Sequence, residues 1–329
     1  ELIQYSALSN ESGSGFFKCR RGAFGTKPAA HKKGSPVHHM LVRYGCFQPD
    51  EKSTLVDDLA DRIANVFNTC QLDQIYMDGA EAMRGWYGVA RMRQAIYTRL
   101  KRPAIVEASC WDHHSWAFHS RVGAWDHPKW GLKRFADDHF ADIDVYREAS
   151  LLEAQLGWWV ILEPDRDWDM ERPDEIEYLC AKALAHDAPL SFQSVSVTGT
   201  PPNARQDEYF ALIGNYERLR LANYFSEAVK EKVRQERQEF HLEHADDGAW
   251  QLVPTDYLEH KVTGLDDGTS TWTVANRYDA QPLRLRIQAL YSAYPYDDEK
   301  SLALADLADA HQFTPAGTGL VIDVSGALK

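Results

Sequence analysis

The chain has 329 residues, 44% hydrophobic and 26% charged, with a formal net charge of -13. That balance belongs to a globular protein with a sizeable core, and it excludes disordered and fibrous classes. The acidic excess argues against a nucleic-acid surface, which needs a basic one, although a few local arginines could still hold a uronate.

The five cysteines, Cys19, Cys46, Cys70, Cys110 and Cys180, are widely spaced and form no CxxC pair. They read as free thiols, so neither a disulfide framework nor a zinc site is expected on them. The longest apolar run, LGWWVIL at 156–162, is too short for a membrane span. The sequence starts at Glu1 without a signal-peptide pattern, so any targeting segment lies outside it and no compartment follows.

From residue 20 to about 200, short apolar or aromatic runs alternate with helical patterns, which predicts βα units and a parallel sheet. PVHHMLVRYGCF (36–47) reads as a strand entering a loop. STLVDDLADRIANVF (53–67) reads as a helix capped by Ser53 or Thr54, with Leu55, Leu59, Ile63 and Phe67 on one face. QIYMD then forms a strand, YGVARMRQAIYTRL (87–100) a helix, and PAIVEAS (103–109) the next strand.

GWWVIL (157–162) is a strand candidate, and PDEIEYLCAKALAHD (173–187) a helix with Pro173 at its first position. APLSFQSVSV (188–197) follows as a strand. Residues 205–237 read as one long helix, with Tyr209, Leu212, Tyr216 and Leu219 at helical steps.

After residue 238 the pattern becomes all β. AWQLVP, STWTVANRY and PLRLRIQAL alternate apolar and polar residues between ADDG and LDDG turns. The expected architecture is the carboxyl-terminal part of a (β/α)8 barrel over 1–237, followed by a truncated β-sandwich over 238–329. Fewer than eight barrel strands precede the switch, and GTGLVIDVSGALK looks like a strand whose partner is missing. No GxGxxG or GxxxxGK[ST] loop marks a nucleotide crevice, so the partial barrel is preferred to a doubly wound sheet.

A barrel presents its active face at the carboxyl ends of its strands. Three clusters fall there: Asp78 with Glu81; Glu107 with the loops CWDHHSWAFHSR (110–121) and GAWDHPKW (123–130); and Glu163, Asp165 and Asp167. Glycoside cleavage needs two carboxyl groups. Asp78 is the nucleophile candidate, with Asp112, Asp126 and Glu163 as possible partners. The alternative is that Asp78 only forms an Asp-Gly turn.

Trp111, Trp116 and Trp125 could stack on pyranose faces, whereas Trp158 and Trp159 look like strand core. His113, His114 and His119 lack HExxH spacing, and no metal or other cofactor is expected. With Arg121 as carboxylate clamp they could instead supply the base of a polysaccharide lyase. Most of the histidines can equally be read as hydrogen-bonding loop backbone. Ser109 and Cys110 lie near histidines, but no GxSxG elbow supports acyl hydrolysis.

With QIYMDGAE, EASCWDHHSW and TWTVANRYDAQPLRLRIQAL in this order, the chain resembles multidomain carbohydrate-active enzymes of the alpha-galactosidase and alpha-glucosidase superfamily. The resemblance implies a (β/α)8 catalytic barrel with trailing β-sandwiches. It also implies that Asp78 attacks the anomeric carbon while an acid from a later strand protonates the leaving oxygen. Those enzymes usually carry a Lys two residues before the nucleophile, where Tyr76 stands here. The expected partner is therefore a carbohydrate, with no nucleic acid and no membrane span. A His-driven lyase and a non-catalytic glycan-binding protein are the alternatives.

Overall fold

The computed structural model describes residues 1–9, 15–43, 45–79, 83, 85–108, 116, 121–125, 132–161, 171–199, 205–260, 263, 267–269, 271–281, 283–292 and 301–313. The chain divides into two compact units, Glu1–Pro49 and Asp50–Lys329.

The first unit consists of short antiparallel pairs. β1 (Ile3–Gln4) pairs with β4 (Arg20–Arg21), and β2 (Ala7–Ser9) pairs with β3 (Gly15–Phe17). A single 3-10 turn at Ala23–Gly25 follows, then the hairpin of β5 (Val42–Arg43) and β6 (Cys46–Phe47). The stretch 36–47, expected as a strand entering a loop, thus carries only this short hairpin, with Gly45 at φ 74 as a left-handed residue between its strands. Ala23 alone is buried among the described residues of this unit.

The second unit opens with a βα series: α1 (Leu55–Cys70), β7 (Gln74–Met77), α2 (Gly85–Tyr97) and β8 (Ile105–Ala108). β7 and β8 pair in parallel with Tyr76 opposite Glu107. The face that α1 buries is Val56, Ala60, Ala64 and Phe67; of the predicted stripe Phe67 is buried and Ile63 packs against the core, whereas Leu55 is exposed. Val56 and Ala60 of the helix share one core cluster with Met77, Val106 and Ala108 of the strands, and Ile63 and Ile75 pack against it.

Next come β9 (Arg121–Trp125), α3 (Leu132–Phe140), α4 (Ile143–Ala149), β10 (Gln155–Val160), α5 (Pro173–His186) and β11 (Leu190–Gln193). β9, β10 and β11 form a parallel sheet with β10 in the centre. The sequence pattern places the residues of β9 in loops. Their pairing to β10, with Gly123 opposite Gly157, makes them a strand. Leu156 and Trp159 are three residues apart yet share one core with α3 and α5, which a regular alternation forbids. Gly157, at φ 104 between them, shifts the phase. A Cβ there would sit 1.9 Å from the Gly123 carbonyl oxygen.

α5 is the central helix, buried from Ile176 to His186. Pro173 occupies its first turn, as the sequence predicts, and the Arg172 amide donates to the Glu175 carboxylate at 2.8 Å. The predicted helix over 205–237 is two helices, α6 (Gln206–Leu221) and α7 (Glu227–Arg234). The break falls at Asn223, which adopts φ 46, and the Tyr224 amide closes the end of α6 on the Leu219 carbonyl at 3.0 Å. The turn delivers Phe225 into the core beside Tyr209, Tyr216 and Val233.

β12 (Glu239–His244) and β13 (Trp250–Thr255) make an antiparallel hairpin, as do β14 (Leu283–Ser292) and β15 (Ser301–Phe313). Phe240 and Leu242 of β12 lie in the same core as α5, α6 and α7, so the change to β structure at 238 is not a break in packing. Of STWTVANRY (270–278), expected as a strand, the described residues 271–278 form none. There the Asn276 side chain donates to the Asp279 carbonyl at 2.9 Å and accepts from the Tyr278 amide at 3.1 Å, a local turn that competes with strand pairing. GTGLVIDVSGALK lies outside the described residues. Among the described residues the parallel strands form two separate sheets, no barrel closure is seen, and no helix is long and apolar enough to cross a membrane.

Candidate active site

The outer faces of the parallel strands are fixed by their apolar residues. Ile75 and Met77 of β7 and Val106 and Ala108 of β8 belong to one core cluster with α1 and α2. Leu190 and Phe192 of β11 pack in a second one with α3 and α5. Alternation then assigns Tyr76, Glu107 and Ser191 to the opposite, inner face.

The inner faces of the two sheets meet at Glu107. Its Oε1 accepts a hydrogen bond from the Ser191 hydroxyl at 3.3 Å, although β8 and β11 do not pair. Glu107 is 5% exposed. Burial pushes its carboxyl above the ordinary carboxylate range, against the opposing pull of the Arg121 guanidinium and the Ser191 hydroxyl. Arg121, itself buried, lies over the Trp158 ring at 5.7 Å.

Asp78 follows β7 directly. It is exposed, and its Oδ1 accepts the Gly79 amide at 2.8 Å, while Gly79 takes φ 70. The turn role and a chemical role are compatible, because the second carboxylate oxygen has no hydrogen bond among the described residues. Tyr76 is opposite Glu107, so Asp78 continues two residues beyond on the same side. Strand spacing and rise put its Cα roughly 8 Å from that of Glu107.

Of the other site residues read from sequence, Glu81, Trp111, Asp112, His113, His114, His119, Asp126 and Glu163 lie outside the described residues. Trp125 pairs through its backbone with Trp159 in β10. Trp116 is exposed, and its carbonyl accepts the Leu151 amide at 3.0 Å. Trp159 is core, as expected, but Trp158 is not, since it turns under Arg121. Sequence reasoning placed Glu107 in a cluster without a role. Its signal was an acid enclosed by apolar neighbours inside a strand, in AIVEAS.

A polar cleft lined by Lys133, Arg134, Asp137, Tyr178, Arg237 and Glu239 shares no residue with this face. Its polar groups are partnered within the fold: Lys133 bridges Asp174 at 2.7 Å and Glu239 at 2.8 Å, and Asp137 accepts from the Tyr178 hydroxyl at 2.5 Å and the Arg237 amide at 3.1 Å. The cleft is a seam between α3, α5 and β12. Among the described residues no group of three His, Cys, Asp or Glu side chains could hold a metal ion.

Comparison with models of known protein families and with curated proteins found no match.

Proposed function

We propose that the chain is a glycoside hydrolase, that its parallel strands belong to a partial (β/α)8 barrel, and that Asp78 and Glu107 are its carboxylate pair. The reading rests on one observation: a buried carboxyl with a raised pKa, Glu107, on the strand next to the one that ends at exposed Asp78. The contact of Glu107 with Ser191 across unpaired strands suits sheets that curve around one interior.

Two carboxyl groups in unlike environments divide the work. Glu107, whose carboxyl burial biases towards its protonated form, gives its proton to the glycosidic oxygen as the bond from that oxygen to the anomeric carbon breaks. The Asp78 carboxylate forms the new bond to that carbon from the other side. Glu107, now ionised, takes a proton from water, and the resulting hydroxide equivalent displaces Asp78 from the sugar. Trp158 offers an aromatic surface beside Arg121 for the sugar ring.

Aryl glycosides with good and poor leaving groups test this assignment. Glu107→Gln should lose about 100-fold or more on a poor leaving group and far less on a good one, as loss of a general acid requires. Asp78→Asn should abolish turnover on both. Equal losses for the two leaving groups in Glu107→Gln would refute the acid role.

A further inference from the structure

The net charge of -13 conceals a division. Residues 1–49 hold seven Lys and Arg against two Glu, and the remainder holds 29 Lys and Arg against 47 Asp and Glu. The first unit is thus a basic body of net charge +5 on a chain whose other part carries -18. Of its two acids, Glu1 is already occupied: its carboxylate accepts from Arg21 at 2.7 Å and contacts the His31 ring at 2.8 Å. Lys18, Arg20, Lys27, Lys32, Lys33 and Arg43 are exposed and have no ion pair among the described residues.

The same unit leaves its aromatic rings outside. Phe16 is 53% exposed and Phe24 is 64% exposed. Each leans on a second ring, Phe16 on Tyr5 with centroids 4.7 Å apart and Phe24 on Phe47 at 4.9 Å. These side chains do not form a core, because Ala23 alone is buried among the described residues of the unit. Two ring pairs are thereby held in fixed orientation at the surface, among cations that lack counter-charges.

We infer that the first unit is a binding surface for a carboxylated polysaccharide, a polyuronate, whose acid groups meet the unpaired Lys and Arg and whose sugar rings lie on the exposed aromatics. Lys and Arg supply charge-assisted hydrogen bonds to carboxylates, and aromatic faces suit the C–H faces of a pyranose. Choosing a glycan as the polyanion rests on the hydrolase reading. The charge pattern favours it as well: the acidic remainder of the chain repels a dense phosphate ladder more than a polymer with one charge per sugar.

The full chain is run by affinity electrophoresis through gels holding polygalacturonate, the same polymer fully methyl-esterified, or duplex DNA. Retardation by the free acid alone is expected, lost at high salt and weakened about tenfold in Lys27→Glu/Lys32→Glu/Lys33→Glu. That variant should keep its melting curve and its rate on a small aryl glycoside. Equal retardation by the ester, no effect of the triple reversal, or tighter retention by DNA would each overturn the inference. Retention without any cleavage of polygalacturonate or aryl glycosides would leave the binding surface standing and sink the hydrolase. Cleavage by a chain that the polyuronate does not retard would do the reverse.

Discussion

The Ser191 hydroxyl donates to Glu107 at 3.3 Å across two strands that share no backbone pairing. This contact joins the β7–β8 pair to the three-stranded sheet on their inner side. Because the carboxyl is buried and its pKa is raised, the folded state favours the protonated form. The stability that burial of the neutral acid contributes is present at low pH and is lost as pH rises through the raised pKa. Glu107→Gln, neutral at every pH, should therefore gain on the parent between pH 4 and 7. Urea unfolding at both pH values reads the difference, and a constant difference would show that Glu107 titrates normally. Ser191→Ala should cost about 1 kcal/mol.

His186 gives the opposite dependence. It lies on α5, stacked on Phe140 with centroids 5.2 Å apart, and burial together with the Arg234 charge lowers its pKa to about 4. The folded state holds it neutral, whereas the unfolded chain takes up a proton below its ordinary value. Stability from this residue is complete above about pH 6.5 and is lost as pH falls towards 4, by about 3 kcal/mol in all. His186→Gln should flatten this slope in unfolding curves measured at pH 7 and pH 4.5.

Glu177 fastens β12 to α5. One carboxylate oxygen accepts from the Tyr216 hydroxyl at 3.1 Å and the Leu242 amide at 2.9 Å; the other accepts from the Tyr257 hydroxyl at 2.9 Å and lies 3.1 Å from the His241 ring. Glu177→Ala would strand the buried Tyr216 hydroxyl and Leu242 amide and should cost about 3 kcal/mol or more. Hydrogen exchange at the Leu242 amide should accelerate beyond what global unfolding explains, and unchanged exchange would show that the hairpin is held elsewhere.

Gly157→Ala should destabilise by about 3 kcal/mol, since it combines a left-handed backbone with a Cβ driven into the Gly123 carbonyl. Gly214→Ala, on α6 with no atom near the added Cβ, should be neutral or slightly stabilising. Thermal denaturation of the two variants separates a cost specific to β10 from a general intolerance of added methyl groups.

Local chemistry made most elements of the βα series readable. Leu55 to Phe67, Pro173 to His186 and Tyr209 to Leu219 carry helical spacing strong enough to survive in the fold. The failures lie where partners decide. Arg121–Trp125 contains one β-branched residue and a Gly between His- and Trp-rich stretches, and only β10 makes it a strand. The helix over 205–237 breaks because the core takes Phe225, a demand that periodicity cannot express.

The site divides in the same way. The sequence by itself determined that Asp78 ends a strand beside a Gly, because strand alternation and turn chemistry are properties of neighbouring residues. Only the tertiary structure decided that Glu107 is buried, that Arg121 and Ser191 bear on its charge, and that Trp158 leaves the core for Arg121. Burial and field are sums over residues remote in the chain, and in this case β8, β9, β10 and β11 all contribute to them.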